Sequence, residues 1–490
     1  MSTTSPLGVR LTRRQALGLA AGGALGAAGV RLATLHPWSN GSASATASAA
    51  GANGAWASPL GNSRALAAHL LRRAGLGYSE AELDDAARLS YSDLVDKLVS
   101  AAPQQPQDLP AQQRFNYQQV SRWWLAHMAT TTAPLPERMA LFWHGHFTSD
   151  FRKANGLPLV YQQNQLYRRL GTSDLHTLLR AVTYDPLMVR YLDLDQSSAT
   201  APNENFAREV MELYTLGAGN YTESDVREGA RALSGIRIAL VDSSGAPMQL
   251  PRRNGMTVQQ YAQHLAQLVD QGATFAGRLV PRVHDSGVKT YLGRTGNLGP
   301  DDVVDVLLAQ DACAPFITTK ALTSFCMPSP SKDTVTRIAA QFRSSRYDLK
   351  TLLRAIFTSG EFTDPGNYRS LVRSPADYTV AAMRALGRPQ LAQQAAAAGS
   401  TMDQVLYDPP TVAGWPVNAG WVSSSAWLAR VNFAETAVAQ RGAALPDVSA
   451  AVRSQLDGVV GPDTAAVLNA SASDADRWYA LLSSPEFQLK

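Results

Sequence analysis

From Pro59 onward, apolar residues return at every third and fourth position through most of the chain, and this spacing constrains the fold more than any other feature. Side chains so placed share one face of an α-helix, and an apolar helix face must be buried against another element. Ala65 to Leu71 begin one run, Glu80 to Ala87 a second and Asp93 to Val99 a third. Ser79, just before Glu80 and Glu82, has the form of an N-cap followed by acidic first-turn residues. The same spacing predicts helices over 113–130, 136–146, 174–192, 203–216, 223–233, 257–270, 300–309, 332–343, 348–357, 374–386 and 475–483. Alternation of period two is scarce, and Ile236 to Val241 is the best strand candidate. Pro- and Gly-rich joints near 101–111, 242–255, 272–298 and 387–400 are too short and too apolar to separate independent domains. The expectation is a mainly α protein: one large multi-helix globular domain over 58–490, single or lobed, with at most a short β-ribbon.

Residues 1–57 stand apart. Thr12-Arg13-Arg14-Gln15-Ala16-Leu17 opens a charge-free, weakly apolar run from Ala16 to Val30. That arrangement resembles a twin-arginine export signal, although Ala16 stands where the usual pattern has Phe. The other reading is an apolar N-terminal helix with two chance arginines. Fifteen residues are too few for an ordinary membrane span. A Ser/Ala/Gly-rich stretch follows and ends in Ala55-Trp56-Ala57, a small-x-small pattern that a peptidase could cut. Residues 1–57 are therefore expected to be an export signal and low-complexity linker. The expected destination is the cell envelope or the medium, with the twin-arginine translocation machinery as a partner and no stable membrane span after processing.

Charge narrows the partners. The formal +4 comes from 44 basic and 40 acidic residues, and Arg10, Arg13, Arg14 and Arg31 all lie in the first 57, which hold no Asp, Glu or Lys. The remainder is balanced at 40 against 40, which argues against a phosphate-backbone binder, so no nucleic acid partner is expected. Cys313 and Cys326 are the only cysteines, and their spacing suits neither a CxxC redox pair nor a cysteine-rich zinc site.

Four segments carry polar residues that could do chemistry. In Phe142-Trp143-His144-Gly145-His146-Phe147-Thr148 the two histidines could share a metal ion if the helix ended at Gly145, since i and i+2 otherwise diverge. They could equally be members of an aromatic cluster. Pro202-Asn203-Glu204-Asn205-Phe206-Ala207-Arg208-Glu209 continues to Glu212, and as one helix it sets Asn205, Arg208, Glu209 and Glu212 on one side. Glu209 and Glu212, a turn apart, need a proton, an arginine or a metal between them. Asp193 and Asp195 precede this helix, and Asn203 could also be its N-cap. A polar, Gly-punctuated loop carries His284, Asp285, Lys289 and Arg294. Asp408-Pro409-Pro410 to Gly414-Trp415-Pro416 fixes a rigid turn that either presents Trp415 to a ligand or plugs the core with it.

Together and in this order, five segments resemble the bacterial family catalogued as domain of unknown function 1800. They are His69-Leu70-Leu71-Arg72-Arg73-Ala74-Gly75-Leu76-Gly77, Phe142 to Thr148, Ala201 to Glu209, Lys289-Thr290-Tyr291-Leu292-Gly293, and Asp408 to Pro416. The resemblance spans about 63–487 and implies export and chemistry outside the cytoplasm or in the envelope, without naming an activity.

Two classes of function fit. The first is an exported hydrolase acting on an extracellular or cell-envelope polymer such as a polysaccharide. Its catalytic candidates are Glu204, Glu209, Asp193 and Asp195. In a metal-assisted version His144, His146 and Glu212 hold a divalent metal ion that activates water. Asn203, Asn205, Arg208, His284, Asp285, Lys289, Arg294 and Trp415 would contact substrate. The second is a non-catalytic assembly or binding protein of the envelope, in which the same residues are caps, ion pairs and an aromatic plug. A redox protein is a weaker third reading, because no haem or dinucleotide motif is present.

Overall fold

The computed structural model describes residues 56–252, 254–439 and 444–490. The export segment lies outside these apart from Trp56 and Ala57. The described chain is mainly α-helical, and the helices named below are the ones that frame the site. They are α1 (Ser63–Ala74), α2 (Tyr117–Thr130), α3 (Pro134–His146), α4 (Leu159–Leu170), α5 (Pro186–Tyr191), α6 (Glu204–Glu209), α7 (Glu223–Leu233), α8 (Cys313–Phe325), α9 (Pro375–Leu386), α10 (Ala392–Thr401), α11 (Ser424–Ala439) and α12 (Asp474–Ser483). Local chemistry sets several boundaries. Asn116 caps α2 through its side chain, Pro sits in the first turn of α3, α5 and α9, and the Asp185 side chain caps α5 at Met188 N. Pro186 also divides the expected 174–192 helix in two, because its ring cannot continue the preceding turn.

One core of Leu, Val, Ala and aromatic side chains runs from α1 to the C-terminal residues, so no internal boundary divides it. Trp124, Trp143 and Trp478 are fully buried within it. Among the described residues no helix is long and apolar enough to cross a membrane. Trp56 docks on the domain edge: its Nε1 donates to Glu486 Oε1 at 3.1 Å and its ring packs near Val372, Trp421 and Leu489.

Among the described residues two small antiparallel sheets occur, rather than a single ribbon. β1 (Ile236–Val241) is the strand expected from alternation, and it lies between β2 (Pro247–Met248) and β3 (Thr274–Leu279). β1 and β3 pair in continuous register from Ile236–Leu279 to Val241–Thr274. β3 falls in a stretch read as a Gly-rich joint. Its Gly277 is demanded by packing, since a Cβ there would sit 2.4 Å from the Tyr184 carbonyl oxygen. β4 (Lys289–Tyr291) and β5 (Arg294–Gly296) form a separate hairpin. The sheet steadies the approach to α6: Arg237 Nη1 and Gly235 N both donate to the Ser197 carbonyl, at 2.8 and 3.1 Å.

Candidate functional site

The site is built on the C-terminal end of α3. The helix does not stop at Gly145; it continues through His146, and Phe147 N donates to Trp143 O at 2.7 Å. Two residues apart on a continuing helix, the imidazoles diverge. His144 packs against Trp124, Tyr407 and Trp415, with ring centroids 5.5, 4.7 and 5.0 Å away. Its Nε2 accepts the Tyr407 N–H at 3.2 Å, which leaves the proton on Nδ1, and Nδ1 has no partner. His146 lies instead among Phe142, Trp143, Phe147, Tyr214 and Phe316, and its Nε2 donates to the Tyr214 carbonyl at 3.0 Å. Burial pushes both imidazoles down to about 3, helped at His146 by the Lys320 charge, so both are neutral at pH 7.

The structure does not bring together the metal set expected from the sequence. His144 and His146 occupy different aromatic cages, and Glu212 accepts the Tyr221 hydroxyl. Among the described residues no three His, Cys, Asp or Glu converge as a metal-holding group.

The Asp408–Pro416 turn closes over the same helix end. Gly414, at φ +87°, lies so close that a Cβ would meet the Gly145 carbonyl oxygen at 2.6 Å. Thr148 Oγ1 donates to Val412 O at 2.5 Å, and Phe151 N donates to Tyr407 O at 2.8 Å. Trp415 lies half-buried against His144 with its Nε1 sealed away from solvent, and so takes the plug role.

The third element is α6 with its continuation. Asn203 is the N-cap, accepting from Asn205 N at 2.9 Å, while its own N–H donates to Ser197 Oγ. After Glu209 the helix widens to a π segment over Val210–Thr215, and Leu216 N reaches back to Met211 O. Such wide turns are rare but frequent at functional sites. The buried side of this stretch is apolar, with Phe206, Val210, Met211 and Tyr214, and it is Tyr214 that meets His146 and Phe147. The helix meets the histidine segment through this apolar face rather than through a carboxylate face.

His144, His146, Glu204 and Glu209 divide accordingly. Glu204, nearly half exposed, faces Arg208 at 3.5 Å, and Arg208 forks onto Glu223 at 2.7 and 2.8 Å. His144 and His146 are internal. Glu209 is different: it is half-buried, and its carboxyl makes no hydrogen bond or ion pair. Burial, and then the Glu212 charge, hold Glu209 above the usual carboxylate range against the opposing pull of Arg208. Tyr191, at the end of α5, shares this neighbourhood. Its hydroxyl is pushed up by burial, then by the charges of Asp150 and Glu209.

Around Tyr191 and Glu209 lies a rim of paired charges. Asp150 and Asp408 both hold Arg152, each through contacts as short as 2.7 and 2.8 Å. Asp193, in a left-handed conformation at φ 55°, pairs with Lys153 at 2.9 Å, and Asp195 lies 3.8 Å from Arg190. Sequence reading missed Asp150, Arg152 and Tyr191. The available signal was Ser149-Asp150-Phe151-Arg152, directly after the histidine segment.

The His284 to Arg294 loop belongs elsewhere. His284 Nδ1 donates to Ser234 O at 2.8 Å, Asp285 pairs with Arg231 at 2.7 Å, and Arg294 pairs with Asp302 at 3.1 Å. Lys289 is buried and gives Nζ to the carbonyls of Asp285 and Gly287. These contacts fasten the β4–β5 hairpin to α7 and the helix after it. Of the residues expected to contact substrate, Asn203, Arg208, Asp285, Lys289 and Arg294 thus hold caps or ion pairs, while Asn205 is exposed beside Glu204.

A family model described as "Protein of unknown function (DUF1800)" matches residues 69–489. No curated protein and no solved structure matches the chain.

Proposed function

The chain belongs to this family of proteins of unknown function, and from its own geometry we propose that it is an exported hydrolase of an extracellular or cell-envelope polymer such as a polysaccharide, with Glu209 as the proton donor. The observation that carries the reading is the Glu209 carboxyl: reachable, unpartnered, and biased toward its protonated form by burial and by Glu212. A general acid needs that combination, since a carboxyl committed to an arginine cannot give up a proton it does not hold. Glu209 would protonate the bridging oxygen as its bond to carbon breaks. Glu212, held by the Tyr221 hydroxyl, is the neighbouring carboxylate suited to take a proton from the attacking water. Tyr191 would bond the substrate beside them. Asp193 and Asp195, tied to Lys153 and Arg190, become rim residues in this reading, and the reaction runs through carboxylates rather than through the two histidines.

Export rests on Arg13 and Arg14 before the charge-free run, and replacing both by lysine should hold the precursor in the cytoplasm. Activity is tested by incubating the purified protein with envelope and extracellular polysaccharides and measuring new reducing ends. Glu209→Gln should abolish release while leaving the unfolding midpoint unchanged, since the amide fills the same space. The second reading, a non-catalytic envelope assembly protein, is favoured by the number of candidate residues engaged in caps and ion pairs. Under it no polymer is cut, and any phenotype of Glu209→Gln follows stability alone.

A further inference from the structure

We infer that the cavity between α2, α9 and α10 is a binding site for a small, hydroxyl-rich carboxylate of the uronic-acid class. The cavity holds about 320 Å³, at the lower end of the ~300–1,000 Å³ range of small-ligand sites. It exists because the facing residues are small, Ala376 on α9 and Ala396 on α10 among them. None of the candidate residues drawn from the sequence lines it.

Its lining is chemically one-sided. Arg122 is the sole charged residue on the wall, no Asp or Glu accompanies it, and its guanidinium makes no hydrogen bond or ion pair. Gln404 is only 9% exposed, and its Oε1 accepts the Ala376 N–H at 2.8 Å. That bond fixes the amide orientation, so an NH₂ that makes no hydrogen bond is left on the cavity wall. Gln118 and Gln393 stand exposed at the rim with side chains that make no hydrogen bond. Tyr117 is held rigidly on the wall by stacking on Phe151, with ring centroids 3.7 Å apart.

A planar guanidinium matches a carboxylate through two parallel hydrogen bonds. The three amides offer both donors and acceptors, as sugar hydroxyls require. A single cation balances a monoanion better than a phosphate dianion, which selects the carboxylate. The inference does not rest on the hydrolase reading, because binding is measured without turnover. Phe151 opens the turn that carries Arg152, so an occupant would nonetheless lie one aromatic contact from the charged rim described above.

The test is calorimetric titration of the full chain with sodium glucuronate and galacturonate, with glucose and inorganic phosphate as comparators. The uronates should bind at least about tenfold more tightly than glucose or phosphate. Arg122→Gln and Gln393→Glu, neither of which removes a packed side chain, should each weaken uronate binding by about tenfold or more. Ala396→Phe should fill the cavity and abolish binding, and Arg282→Gln, on a distant exposed turn, should change nothing. Absence of uronate binding to the unaltered chain would overturn the inference. So would equal affinity in a folded Arg122→Gln protein, or phosphate binding as tightly as uronate.

Discussion

Replacing Gly414 by alanine separates two costs that the structure superimposes at one residue. At φ +87° an L-residue is in the left-handed region, which costs roughly 1–2 kcal/mol. The added Cβ would also meet the Gly145 carbonyl oxygen at 2.6 Å and the Thr148 methyl at 3.0 Å. The first contact is backbone on both sides, so either the turn or the end of α3 must move, at roughly 1–3 kcal/mol for forced overpacking. Gly414→Ala should therefore lose about 2–5 kcal/mol in all. Gly156 supplies the control, because it has a similar φ of +72° with no atom within 4 Å of the added Cβ. Gly156→Ala should show the backbone cost alone. Both proteins would be unfolded in urea and followed by tryptophan fluorescence, which reports on Trp143, Trp124 and Trp415 around the helix end. Equal midpoints for the two variants would refute the close approach of the turn to α3, and with it the convergence of those two segments.

Further predictions test the same region. Gly145→Ala should raise stability by ~0.5–1 kcal/mol, because Gly145 lies inside α3 with nothing within 4 Å of a new Cβ; destabilisation in urea would mean that the helix ends there. Asp185 is fully buried, bonded by Gln163 Nε2 and Met188 N, and burial pushes it up to about 7. A carboxyl raised on folding binds its proton more tightly in the native state, so its contribution is present at low pH and lost as pH rises from about 4 through 7. Asp185→Asn, which keeps the cap acceptor, should flatten that part of a stability-versus-pH profile. Glu137 is its opposite: buried against His127, Arg168 and Trp124, it is held below its ordinary range despite burial, by the adjacent His127 imidazole and the Arg168 guanidinium. Glu137→Gln breaks a buried pair and should lose roughly 3–5 kcal/mol in urea unfolding.

How much of this was legible depends on contrast between faces. Helices with one apolar side were readable nearly to the residue: 223–233 and 300–309 coincide with α7 and with Pro300–Ala309. α10 and α11 were not, because Ala-rich and evenly apolar sequences show no stripe, and α11 is buried on most sides. The widening after Glu209 was invisible, since no local residue preference marks an i+5 bond such as that from Leu216 N to Met211 O. The candidate site was half legible for a related reason. Spacing placed His144, His146 and Glu209 on elements that do meet, but only the partners of each polar atom decide its role. Tyr407 N supplies the acceptor bond that makes His144 structural, and it lies 263 residues away.

The same test, partner by partner, explains the His69 to Gly77 segment. His69 Nε2 donates to Phe362 O, Arg72 forks onto Asp457 at 2.6 and 2.9 Å, and Arg73 reaches the carbonyls of Cys326 and Asn367. Arg138 and Lys490 converge on Asp377, while Arg369 and Arg430 end on backbone carbonyls. Each of these buried side chains ties its segment to one distant in sequence through an acceptor that would otherwise be buried unpaired. A scaffold fastened in this way leaves few polar groups without structural work. Arg122 and Glu209 are two of them: one faces a cavity, and the other sits half-buried at the start of a π segment. In a chain that satisfies its buried charges so consistently, a group left free at a concave or strained place is where selection for a ligand is best sought. Substituting Arg122 and Glu209 separately is therefore the sharpest division of labour the fold offers. Uronate affinity should respond to the first and not the second, and polymer cleavage should require Glu209 whether or not the cavity is filled.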